Sequence, residues 1–172
     1  MTLSITARLD DGKRWFTDLL TQLPTEEAAR PLGKEEWSVA QHVEHLIMTE
    51  RAFLLGLARS SAPMPERTAE QNEMRGKLGE YLRTGAKYVV NAPSVEPSGG
   101  KDAEALLADW DKIRTKLFTK LESGTLPGPE IVVFPHPIAG PLNAGETLDF
   151  LADHLIYHRV RIEALRNTEH MG

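Results

Sequence analysis

The sequence predicts an all-α fold, a four-helix bundle with long crossover connections, and three observations carry that prediction. Apolar residues recur at three- and four-residue spacing in four separate stretches, the pattern that buries one face of a helix. Only one short run, Ile131 to Phe134, is β-prone, and no repeat of solenoid length is present. Two of the links between the helical stretches are long and rich in proline and glycine, which argues against simple up-down-up-down connectivity.

The first helix spans Leu3 to Leu23, where Leu3, Ile5, Leu9, Trp15, Phe16, Leu19 and Leu20 form its buried stripe. Pro24 follows, and TEEAARPLGKEEW reads as a connection with room for at most a short helical turn. The second helix runs from about Val39 to Arg59. Ser38 is its candidate N-cap, able to accept an otherwise unpaired N–H of the first turn, and Trp37 is placed to pack back as a hydrophobic staple. From Ser60 to Gly100, four prolines and five glycines interrupt the periodicity and leave room for one or two short helices. A link of about 40 residues exceeds ordinary loop length, so it either shapes or covers a pocket or is a passive insertion.

The third helix covers Asp102 to Ser123 through Ala105, Leu106, Trp110, Ile113, Leu117, Phe118 and Leu121, and Gly124 is placed to cap its C-terminus. The stretch GTLPGPEIVVFPHPIAGPLNAGE is then a long shaped loop. The fourth helix carries Leu148, Leu151, Leu155, Ile156, Ile162 and Leu165, with Thr147 or the preceding loop supplying its start.

Length and composition set the frame. The 172 residues are expected to form one domain, residues 1–172, large enough to bury a core without disulfides or a structural metal. Hydrophobic residues make up 41% and charged residues 26%, the balance of a soluble globular chain. The net charge is −5 and the basic residues are dispersed, so nucleic acid is not an expected partner. No stretch approaches a membrane span or a signal peptide, and a cytoplasmic location is the expectation. There is no cysteine, which removes thiolate ligands and a cysteine nucleophile together and leaves His, Asp and Glu to carry any metal site.

The histidines are the candidates for chemistry. His154 and His158 lie four residues apart in LDFLADHLIYHRVRIEAL. On a helix that spacing passes one full turn by about 40°, so the two rings project to nearly the same side and can share one ion. The second helix, WSVAQHVEHLIMTERAFL, carries His42 and His45 among apolar positions. A histidine on such a stripe is either a satisfied core residue or a ligand aimed at a bundle interior. One histidine from this helix and the pair from the fourth would present three imidazole nitrogens with open coordination positions. His42 and His45 compete for that place, since roughly 60° separates them in projection. His136, between two prolines, lines a pocket mouth or caps a turn, and His170 near the end is most simply exposed.

Three islands, in order, are more specific: WSVAQHVEHL at the start of the second helix, HPIAGPLNAGE before the fourth, and HLIYH within it. With them the sequence resembles the DinB-like superfamily, small metal-binding four-helix bundles that include bacterial low-molecular-weight-thiol S-transferases. The resemblance spans nearly the whole chain. It implies a metal triad of His45, His154 and His158, with His42 as an extra, and it implies homodimers. Arg161 stands where the family often has a glutamine, three residues after the last histidine, so no role of that glutamine is carried over. Arg161 falls nearly in line with His154 and either offers an anion-binding group to an extended pocket or pairs with a neighbouring helix. His42, His136 and Arg161 are therefore the further pocket candidates.

Neutral imidazoles are borderline ligands, which places zinc or nickel ahead of iron or manganese as the divalent ion. The leading functional expectation is a metal-dependent enzyme that transfers a low-molecular-weight thiol to a small electrophile, with no catalytic side chain identified. One alternative is a metal-dependent hydrolase with Glu50 or Asp153 as base. Another is a non-enzymatic stress-response protein that binds a metal or small ligand at the same triad.

Overall fold

The computed structural model describes residues 3–87 and 92–169. Among them are six α-helices, one 3₁₀ turn and a small hairpin. The order is α1 (Ile5–Gln22), α2 (Thr25–Ala29), α3 (Val39–Arg59), α4 (Ala69–Arg83), the 3₁₀ turn (Pro93–Val95), α5 (Ala103–Glu122), β1 (Phe134–His136), β2 (Gly140–Leu142) and α6 (Ala144–Glu169). The fold is all-α, and no helix among the described residues is long and apolar enough to cross a membrane. His170 lies outside the described residues.

Local chemistry explains the helix starts. Ser4 caps α1 through its hydroxyl, and Asp102 caps α5 through its carboxylate, each accepting from the backbone N–H three residues on. Ser38 and Gln41 form a reciprocal capping box at α3, with bonds of 3.1 and 3.0 Å. Asn143 and Glu146 do the same for α6, so the loop before Thr147 supplies its start. Gly124, at φ 63°, closes α5 as expected.

α6 is the organising element. It packs against α1, α3 and α4, while α3 packs on its other side against α5. Most of α6 from Thr147 to His158 is buried, so its apolar residues surround the axis instead of marking one stripe. Phe16, Phe53, Trp110, Leu155 and Ile162 are fully buried in the core between these helices.

Two features differ from the sequence expectation. The interrupted stretch after α3 holds a full 15-residue helix, α4, where only short helices were expected. Its stripe is just Met74, Leu78 and Leu82, with Gly76 and Gly79 between them, yet a Thr68–Gln71 capping box starts it and α6 supplies the packing surface. The β-prone run is also displaced. Ile131 and Val132 bridge back to Ala62 and Pro63, and the hairpin proper begins at Phe134.

Gly56 brings that hairpin against α3. A Cβ on Gly56 would sit 2.1 Å from the Val133 carbonyl oxygen, so only glycine admits this approach.

Candidate metal centre

α3 and α6 each deliver histidines to the wall of a cleft of about 970 Å³. His45 of α3 and His154 and His158 of α6 each place one ring nitrogen within 4.8 Å of the others. His154 Nε2 lies 3.2 Å from His45 Nε2 and 2.9 Å from His158 Nε2. The one-turn spacing on α6 puts its pair on the same side, and the capped first turns of α3 fix where His45 emerges.

The protons on these rings are constrained by their outer nitrogens. His45 Nδ1 donates to the Val95 carbonyl at 2.7 Å, which leaves Nε2 with a lone pair facing the cluster. His158 Nδ1 meets His42 Nδ1 at 2.7 Å, and a proton held there by His158 frees its Nε2 likewise. A single N–H on His154 Nε2 cannot point at both neighbours, so one contact in the cluster sets two lone pairs against each other. His154 Nδ1 and His42 Nε2 are buried without a hydrogen-bond partner among the described residues. One cation would satisfy all three Nε2 atoms at once, and borderline imidazole donors suit a divalent transition ion. The residues fit a metal.

The electrostatics point the same way. Burial, then repulsion from neighbouring rings, holds His154 and His158 well below the usual imidazole range. Burial and the proximity of His45 push His42 down to about 3. Burial lowers His45 as well, against the opposing hydrogen bond to Val95. All four rings are therefore neutral near pH 7, the form in which an imidazole ligates.

Aromatic side chains hold the cluster. Trp37 lies edge-on to His42 at 5.5 Å, tilted over His45 at 5.0 Å and stacked on His158 at 6.2 Å. It occupies the position of the expected staple, but its partners are imidazoles. Phe150 and Tyr157, one turn before and after His154, stack on that ring at 4.9 and 6.3 Å.

The further candidates take distinct places. His42 lines the cleft but reaches the triad only through His158. His136 also lines it, and its Nδ1 accepts the backbone N–H groups of Ile138 and Ala139, so it is at once a turn cap and a wall residue. Arg161 lies at the cleft edge, 2.8 Å from Glu36, which also pairs with Lys87 at 2.7 Å. Although burial opposes it, these two cations hold the Glu36 carboxyl below its usual range. The salt bridge to a neighbouring segment is thus the arrangement Arg161 adopts.

Glu50 and Asp153 do not meet the requirement for a base in the cleft. Five residues beyond His45, Glu50 rotates to the side of α3 facing α5, where Arg114 holds it at 2.6 and 3.1 Å. Asp153 precedes His154 by one residue and turns toward α1 and α4, where Arg8 and Arg83 bind it at 3.2 and 2.7 Å. Neither lines the cleft.

Sequence reasoning missed the Val95 carbonyl and the ring contacts of Trp37. Val95 carries no chemical signal, because it acts through its backbone from the 3₁₀ turn 50 positions away. The same reasoning also missed Phe150 and Tyr157, for which a signal existed, since residues three and four positions from a helical histidine are its neighbours.

A sequence profile described as the DinB superfamily matches residues 8–161, which include the triad and the cleft wall from Trp37 to Arg161. No curated protein and no solved structure gave a match. With its all-α architecture and a three-histidine group able to hold a metal ion, this chain belongs to the DinB superfamily.

Proposed function

We propose that this protein is a metal-dependent enzyme that transfers a low-molecular-weight thiol to a small electrophile in the cleft. The observation that carries the reading is the convergence of His45, His154 and His158 Nε2 atoms in the wall of a cleft of about 970 Å³. A divalent ion held by those three nitrogens, zinc or nickel by ligand preference, supplies Lewis acidity that makes a thiol nucleophilic near neutral pH. His45 presents its lone pair because Val95 holds its other proton. Trp37, Phe134, Phe150 and Tyr157 give the cleft an apolar wall that accommodates the body of a small organic electrophile. The chain has no cysteine, so the thiol arrives as a substrate. Hydrolysis is less well supported, because the two carboxylates considered as bases are held by arginines outside the cleft.

Metal analysis of tag-free protein is expected to find one divalent transition ion per chain, and His154→Ala is expected to lose it. Full retention in that variant removes the triad as the site. Consumption of a test electrophile should require both the metal and a low-molecular-weight thiol. Turnover without thiol favours a hydrolase, and no turnover across both panels leaves a binding protein. The family resemblance also carries a homodimeric assembly, which sedimentation of the same sample tests.

A further inference from the structure

The hairpin between α5 and α6 builds an unusual histidine. His136 ends β1 and pairs with Gly140 across a three-residue turn. Its Nδ1 accepts the backbone N–H of Ile138 at 3.3 Å and of Ala139 at 3.0 Å. A ring nitrogen that accepts two N–H groups carries no proton, so the proton of the neutral ring sits on Nε2. Protonating Nδ1 would set an N–H against two others, and burial alone already holds this imidazole down to about 4. The ring is therefore held as the neutral Nε2–H tautomer near pH 7.

His136 lines the same cleft as the triad, and the hydrogen bonds its ring makes among the described residues both use Nδ1. Its ring meets the edge of Phe150 at 4.7 Å, and Phe150 stacks on His154 at 4.9 Å. The donor is thus one aromatic ring removed from the triad, on an apolar wall.

We propose that His136 is a neutral hydrogen-bond donor that selects cleft ligands carrying a carbonyl oxygen on an apolar body. A fixed, uncharged N–H suits an uncharged acceptor, because neither partner brings a charge that must be stripped of water. Phe134 and Phe150 flank the donor and contact each other at 5.7 Å, a surface matched to a flat or aliphatic group beside the oxygen. The proposal rests on reading the cleft as the substrate site, but it needs neither the metal nor turnover.

The test uses metal-free protein and two probes of nearly the same shape, acetophenone and α-methylstyrene, which differ in having C=O or C=CH₂. Nitrogen-15 NMR of the histidine rings should show His136 as the Nε2–H tautomer, with its Nε2 signal shifted by acetophenone. Acetophenone should bind about two- to tenfold more tightly than α-methylstyrene, the range expected from one hydrogen bond. His136→Asn keeps an acceptor for the turn while withdrawing the ring donor, and it should abolish the preference with the Ile138 and Ala139 amide signals in place. Should that variant lose the turn, the tautomer and the acetophenone shift in the unsubstituted protein decide. An Nδ1–H tautomer, the absence of an acetophenone shift, or an undiminished preference in a folded His136→Asn protein overturns the proposal. Metal content and thiol transfer of the unsubstituted protein are read separately, so failure of the triad reading does not masquerade as failure of this one.

Discussion

His42 and His158 face each other Nδ1 to Nδ1 at 2.7 Å, although they stand 116 positions apart in the chain. One proton lies between the two nitrogens, and the side it takes decides whether His158 Nε2 has a lone pair for an ion. For His158 to offer Nε2 to an ion the proton must sit on its own Nδ1, with His42 Nδ1 as the acceptor.

His42→Phe preserves a ring and removes the acceptor. Metal affinity, measured by chelator competition, should fall about 10- to 100-fold, the usual effect of losing such an orienting partner. His42→Asn should recover part of the loss. Unchanged affinity in the phenylalanine variant means that His42 does not orient His158.

His136 gives a pH signature. Its value is near 6.5 unfolded and about 4 in the folded chain. Between those values the unfolded state binds more protons, so its contribution to stability is complete above about pH 6.5 and is lost as pH falls toward 4. Denaturant titrations of chelated protein should show this as a slope of at most about 1.4 kcal/mol per pH unit relative to His136→Asn. Parallel pH curves for the two proteins contradict the assignment.

Gly56→Ala separates propensity from packing. An exposed helical glycine replaced by alanine usually gains up to about 1 kcal/mol. Here the new Cβ would lie 2.1 Å from the Val133 carbonyl, so the sign should reverse, with a loss of about 1–3 kcal/mol in urea melts. A neutral or stabilising result would falsify the close contact between α3 and the hairpin segment.

Glu50 should matter to folding and not to the metal. Its carboxylate and Arg114 form a buried pair, with side chains 3% and 5% exposed. Glu50→Ala leaves the buried guanidinium with only the more distant Asp10, 3.8 Å away, which should cost about 3 kcal/mol. Metal affinity of the folded fraction should be unchanged, and a selective loss of metal with little change in stability would return Glu50 to the site.

The four principal helices and the His154/His158 pair were readable because each depends on spacing along one helix. His45 against His42 was not separable that way, since both sit near the same stripe; the choice follows from how α3 is placed against α6. α4 escaped notice because three apolar residues and two glycines make a weak pattern, and its stability comes from docking. The tautomer of His136 depends on a turn that brings two amides to one nitrogen, which a string of residues does not display. Arg161 had two readings, and only the position of Glu36 chose between them.

The two halves of the triad are written far apart in the chain: His154 comes 109 positions after His45. During synthesis, His45 therefore waits through more than a hundred further additions before its partners exist. An ion that needs all three nitrogens can be fully bound only once α6 lies against α3. Such an ion would then have to enter through the cleft that the three rings line.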